Sequence, residues 1–215
     1  MALSGEDIRY APMSLVHHNT RDIACLIYES APILFRLLFG SQAITCLAAL
    51  VARSHNRFSH QYIRVAETDQ RVVGIVVLVP ATRLAEDADY RDVLKFGQQL
   101  WLKLVQYLIV NHILQHSYPA TAFYIGNLAV AAEYRNQGIG RRLLSHCIAD
   151  AAANDTTDAI FISVDISNVR AQRLYESLGF QVVTTRTIQL FRGAIGTRVL
   201  SRSIPDLPRE YEHHN

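Results

Sequence analysis

Apolar residues recur along this chain with two periods, and the switches between them lay out its elements. Arg21 to Ser30 carries Ile23, Leu26 and Ile27 at helical spacing and predicts an amphipathic helix. Ala31-Pro32 interrupts it before a second apolar piece, Ile33 to Phe39, which Gly40 ends. Ser41 fits the N-cap of a third helix, Gln42 to about Arg53, and the polar stretch Ser54 to His60 follows. Two β-branched runs, Gln61 to Glu67 and Arg71 to Pro80, separated by Thr68-Asp69-Gln70, predict an antiparallel hairpin. Between Tyr90 and His116, Leu94, Trp101, Leu104, Val105, Leu108 and Ile109 fall at spacings typical of a helix. Residues 84–116 are therefore read as a helical insertion rather than a loop.

From Ala122 the pattern alternates between strand and helix. A strand runs to Val130, a helix from Gly138 to about Ala153, a strand from Ala159 to Asp165, and a helix from Asn168 to Leu178, with Gly179 in the position of a C-terminal cap. Gln181 to Phe191 and Ile195 to Ile204 form a last pair of strands around Arg192-Gly193-Ala194. Residues 1–204 are expected to form one domain, and 205–215 a flexible tail.

Half of the 215 residues are hydrophobic, as in a folded domain with a sizeable core. The 21 Lys+Arg against 19 Asp+Glu leave a net charge of only +2, which points to neither a nucleic-acid nor a membrane partner. Cys25, Cys46 and Cys147 are scattered and odd in number, so no disulfide framework or zinc cluster is expected and a reducing, cytoplasmic setting fits. Glu6, Asp7 and Arg9 argue against a secretory signal, and no apolar stretch is expected to reach the roughly 20 residues of a membrane span. His112 and His116 stand four apart on a helix, but Ile113 replaces the glutamate a zincin needs, so they read as a polar face and no metal is expected.

The chemistry concentrates in two segments. Leu128-Ala129-Val130 leads into Arg135-Asn136-Gln137-Gly138-Ile139-Gly140-Arg141, which opens a helix. A glycine-bearing turn at a helix N-terminus presents backbone N–H groups to phosphate oxygens, and glycines let those oxygens approach closely. About thirty residues on stands Asn168, seven ahead of Tyr175, followed by Leu178-Gly179-Phe180. Asn168, Ala171 and Tyr175 are expected on one helix face, with Leu174 and Leu178 toward the core.

Together these segments resemble the GNAT acetyltransferases, whose acetyl-CoA motif is Arg/Gln-x-x-Gly-x-Gly/Ala and whose next helix carries Asn and Tyr before Leu-Gly-Phe. The resemblance extends from Gln61 to Ile204 and is specific from Leu128 to Phe180. It implies an α/β fold: a mixed, mostly antiparallel twisted sheet, splayed between the strands ending at Val130 and near Asp165, with helices on both faces. It also implies acetyl-CoA as co-substrate, held by Leu128, Ala129 and Val130 along its pantetheine arm, by Arg135 to Arg141 around its pyrophosphate, and by Asn168. A backbone N–H near Val130 would steady the developing oxyanion. Tyr175 would protonate the departing thiol, which suits a phenol of pKa about 10.

The resemblance leaves the base unassigned. Ser163 stands where ribosomal-protein N-terminal acetyltransferases carry a glutamate, and Tyr124 where histone-type members do. Asp165, Glu133, Tyr124 and a water chain remain open as proton acceptors. The implied reaction is acetyl transfer to a primary amine, on a small molecule or a peptide. The rival reading is a non-catalytic acyl-CoA-binding sensor or interaction module of the same fold. The aromatic residues Tyr28, Phe35, Phe39 and Trp101 fit either core packing or an acceptor pocket. Family members pair through C-terminal strands, which implies a homodimer.

Overall fold

The computed structural model describes residues 8–68, 71–105, 118–190 and 193–204. The turn residues 69 and 70, the insertion from 106 to 117 with its two histidines, Arg192 and the tail from Pro205 lie outside them. Seven strands form one sheet: β1 (Arg9–Pro12), β2 (Ile63–Thr68), β3 (Arg71–Pro80), β4 (Phe123–Val130), β5 (Ala159–Asp165), β6 (Gln181–Leu190) and β7 (Gly193–Ser203). Their order is β1-β2-β3-β4-β5-β7-β6, and β4 with β5 is the parallel pair. All the other neighbours run antiparallel.

Helices cover both faces, so the central strands are apolar on both sides. Against Ile75, Val77 and Val79 of β3 pack α1 (Thr20–Ser30), α2 (Pro32–Phe39) and α3 (Ala43–Val51). The insertion adds α4 (Tyr90–Val93) and α5 (Phe96–Val105) to that side through Leu94 and Leu102. Val76 and Leu78 face the other way, onto α6 (Ile139–Ala152) and α7 (Val169–Glu176). Gly179, at φ +85°, lets Phe180 turn back so that its N–H donates to Tyr175 O, as expected for the C-terminal cap.

Two features of β4 shape the site. It pairs with β5 only through Phe123, Tyr124 and Ile125 opposite Ile160, Phe161 and Ile162, and beyond them the two strands part. On its other edge Asn127 pairs with Val77 and Ile125 with Leu78, so Gly126 is an extra, bulged residue. Such a bulge bends its strand and re-aims the residues beside it.

Several elements differ from the reading of the sequence. Residues 40–42 form a short 3₁₀ turn and α3 starts at Ala43, so Ser41 is not its N-cap. Gly40, at φ +65°, turns the chain directly into helical geometry and leaves no extended residue to act as a cap. β1 has no apolar alternation to betray it. It is held by its ladder with β2 and by Arg9 on Glu67, whose other oxygen receives the His18 ring at 2.9 Å. Burial would raise the Glu67 carboxyl, but the bonds from His18 and Arg9 outweigh it and hold the group below its usual range.

Contrary to expectation, Pro32–Val51 reaches 20 residues at a mean hydropathy of 1.8, long and apolar enough for a membrane span. Phe35, Phe39, Leu47, Leu50 and Val51 of this stretch nevertheless lie in the core, and the turn at Gly40 divides it into two helices. A core helix and a spanning helix overlap in composition, and packing partners separate them.

Candidate active site

Where β4 leaves β5, a cleft of about 510 Å³ opens along Leu128–Val130 and the N-terminus of α6. α6 begins without a side-chain cap. Gly138 takes the N-cap position at φ +78°, and Asn136 before it is also left-handed at φ +67°. This turn gathers backbone N–H groups around one concavity, and the 14-residue helix adds the positive end of its dipole. Among the described residues nothing lies within 4 Å of a Cβ built on Gly138, so the backbone angle and the space for a ligand, not packing, call for glycine there.

The strand Leu128–Val130, Arg135, Asn136, the turn from Gly138 to Arg141 and Asn168 all line this cleft. Gln137 does not. Its amide folds back to donate to Glu133 O at 3.4 Å. The cleft also takes residues the sequence did not single out: Glu29 and Ser30 from the end of α1, Tyr134, and Arg170, Ala171 and Leu174 of α7. Arg135 is anchored to Val130 O at 2.8 Å and faces Glu29 at 3.6 Å, while Arg170 donates to Asn136. Three arginines around a donor-lined turn fit a ligand bearing several phosphates.

Asn168 is the N-cap of α7, its Oδ1 accepting from Ala171 N at 3.1 Å, so it lies outside the helix. Of the face expected for Asn168, Ala171 and Tyr175, the first two do line the cleft together, and Tyr175 departs from them. Ala171 and Leu174, three apart, line the cleft, and Tyr175 turns into the core at 6% exposure, its ring 6.3 Å from that of Phe180. Burial, and next the neighbouring Tyr124 phenol, hold the Tyr175 hydroxyl well above the usual tyrosine range. It stays protonated at neutral pH, as a proton donor must.

A second, recessed pocket of about 290 Å³ lies beside the first, against α2 and α5. Tyr124, Gly126 and Asn127 of β4 and Ser163 of β5 form its wall, and Phe35, Phe39 and Phe58 give it an apolar floor. Asn127 joins the two cavities: its Nδ2 donates to Ser30 Oγ at 2.7 Å. Both strand positions where relatives carry a carboxylate, Tyr124 and Ser163, thus face one pocket. Tyr118 stacks its ring 5.2 Å from that of Tyr124, and its hydroxyl is hydrogen-bonded to Ser163. Burial, and next Tyr124, raise the Tyr118 phenol as well.

No carboxylate lines this pocket among the described residues. Glu133 instead pairs with Arg71 at 2.8 Å on the surface, and Asp165 accepts from Ser167 N at 2.8 Å. Neither lines either cavity. Of the aromatic set, Phe35 and Phe39 serve both core and pocket, Tyr28 packs against the core, and Trp101 donates its indole N–H to Leu37 O at 2.7 Å. No group of three metal-ligating side chains occurs among the described residues.

Comparison with known proteins matches this architecture. The chain is 32% identical over 103 residues to N-alpha-acetyltransferase 50 of Danio rerio, covering 46% of this chain and 61% of that protein. It is 38% identical over 84 residues to the [ribosomal protein bS18]-alanine N-acetyltransferase of Escherichia coli K12, covering 39% and 52% respectively. The chain thus spans only a little over half the length of these relatives. A crystal structure described as an acetyltransferase superposes with a TM-score of 0.68 at 25% identity, over 92% of this chain and all of that one. Residues 33–180 match the Acetyltransferase (GNAT) family, and the chain belongs to that family.

Proposed function

We propose that this protein is an N-acetyltransferase that moves an acetyl group from acetyl-CoA to a primary amine. The observation that carries this reading is the meeting of two cavities on one strand, with Tyr124, Gly126 and Asn127 lining the pocket and Leu128–Val130 the cleft. In this reading the left-handed turn at Asn136–Gly138 holds the pyrophosphate, Arg135, Arg141 and Arg170 neutralise phosphate charge, and Leu128–Val130 lie along the pantetheine arm. When bound there, acetyl-CoA supplies a thioester whose carbonyl carbon the amine attacks and whose sulfur leaves as the thiol.

The chain's own groups do the rest. β4 backbone N–H groups beyond Ile125, on the edge that β5 has left, are available to the carbonyl oxygen. Tyr175 keeps its proton and delivers it to sulfur. With hydroxyls and no carboxylate around the acceptor, the amine itself must arrive neutral, helped by an apolar pocket that disfavours an ammonium ion. The rate should therefore climb with pH through the acceptor's own amine pKa.

Free coenzyme A, followed by thiol titration with a panel of amines and peptides, tests the assignment. Release that requires an acceptor supports it. Tight acetyl-CoA binding with no release for any amine would favour the sensor reading. The names of the relatives, which act on protein N-termini, favour a peptide amine as a second acceptor reading, and the panel includes such peptides. The cytoplasmic location and the homodimer remain parts of this proposal, checked by fractionation and by the solution mass.

A further inference from the structure

Arg57 faces the acceptor pocket with no counter-ion among the described residues. It sits in the loop after α3, half-buried, and its guanidinium carbon lies 5.4 Å from the ring centre of Phe58. Among the described residues it forms no ion pair, and no carboxylate lines the pocket it faces. Its planar fork of N–H donors is therefore available to an anionic group on a ligand that enters the pocket.

The backbone that carries Arg57 is also held in place. Asn56 is fully buried and donates to Leu50 O at 2.9 Å and to Asp89 Oδ2 at 2.8 Å, while its own Oδ1 accepts from Phe58 N at 2.8 Å. The same Asp89 oxygen accepts from His55 N at 2.7 Å. The residues flanking Arg57 are therefore fixed from both sides by buried hydrogen bonds. Room for its fork comes from the bulge: a Cβ at Gly126 would stand 3.3 Å from Arg57 Nη2. The positive group thus lies directly over the strand where Tyr124 and Asn127 line the wall.

We propose that Arg57 is a specificity-determining residue that binds a carboxylate on the acceptor, so that the preferred acceptor is a free amino acid with an apolar side chain. The inference rests on assigning this pocket to the acceptor, as above. The apolar floor takes the side chain, the guanidinium takes the carboxylate through two parallel N–H donations, and the amine is left toward β4. The size agrees, since about 290 Å³ lies at the small end of ligand pockets. Neutralising the carboxylate also removes the local negative charge that keeps an amino acid's amine protonated, which helps a site with no carboxylate base.

The test pairs leucine, methionine, phenylalanine and tryptophan with their C-terminal amides. Binding to CoA-saturated protein is measured by calorimetry and turnover by thiol release, for the wild type, Arg57→Gln and Arg57→Lys. At least one free amino acid should exceed its amide about ten- to hundredfold in both affinity and kcat/KM. Arg57→Gln should level the pair, and Arg57→Lys should keep part of the preference, with acetyl-CoA affinity unchanged in both. The proposal is overturned if wild-type protein treats amides or peptides as well as acids, if the preference survives in Arg57→Gln, or if no acid binds through Arg57. Arg57-dependent binding without thiol release would sink the enzymatic reading alone. Turnover of amides without preference would sink only this one.

Discussion

The cleft and the pocket share β4 but are made of different material. The cleft is largely backbone, consisting of an uncapped helix N-terminus, two left-handed residues and the open edge of a strand, supplied mostly by the continuous stretch from Leu128 to Arg141. The pocket is made of side chains brought from α2, the loop after α3, α4, α5 and the ends of β4 and β5. A backbone site suits one invariant ligand, because its donors depend on chain geometry and tolerate change in most side chains. A side-chain site can be re-specified residue by residue, which suits the acceptor role proposed for the pocket.

The comparison breaks most sharply at Gly138. Gly138→Val forces a β-branched residue into left-handed geometry and fills phosphate space, and should weaken acetyl-CoA binding at least about a hundredfold by calorimetry. Gly138→Asn, which tolerates that geometry, should lose much less. Equal losses would mean that bulk alone matters and that the turn's conformation does not.

Tyr175 lines neither region and lies buried behind them, its phenol near that of Tyr124. Tyr175→Phe should lower kcat by roughly tenfold to a hundredfold and leave acetyl-CoA affinity intact, because positioned acid catalysis is lost without a contact in the cleft. Its raised pKa means that the phenol stays protonated through the ordinary assay range. Any stability gained from the neutral form is complete below the unfolded tyrosine pKa of about 10 and is lost only as pH rises through the higher folded value. Wild-type activity should therefore show no alkaline decline from this group at pH 6 to about 9. Unchanged kcat in a variant whose chemistry limits the rate would make Tyr175 merely a core residue.

Asp89 should separate the two sites by stability and selectivity. Asp89→Ala strands the part-buried His55 N–H and the buried Asn56 amide, at a cost of about 1–3 kcal/mol. That corresponds to a fall in Tm of roughly 2–12 °C for a chain of this size. Acceptor selectivity should loosen while acetyl-CoA affinity holds, and a loss of cofactor affinity would show that the regions are coupled. The smallest effect belongs to Glu133→Gln. Its exposed pair with Arg71 is worth less than about 1 kcal/mol, and kcat should stay within about twofold. A large drop in kcat would restore Glu133 as the proton acceptor.

Much of the strand and helix order was written in the sequence, because local periodicity and glycine placement are set by neighbouring residues. β5 runs from Ala159 to Asp165 as read, and the turn before α6 falls at Gly138. Most residues lining the cleft were legible for the same reason: one short segment makes the turn and most of its wall. β1 was not legible, since its four residues owe their place to β2 and to Glu67 rather than to a pattern of their own. Nor was the inward turn of Tyr175, which accompanies the packing of its ring against Phe180 across the Gly179 turn.

The pocket was decided by tertiary structure alone. Arg57 looks like one more charge in a polar stretch, and only the fold shows it set over Gly126 by two buried hydrogen-bonding side chains, one of them from the insertion. The sequence determined where a phosphate-bearing ligand can be held, because backbone geometry is local. Which side chains meet across the splay depends on contacts between segments up to about a hundred residues apart, and no local pattern encodes such contacts.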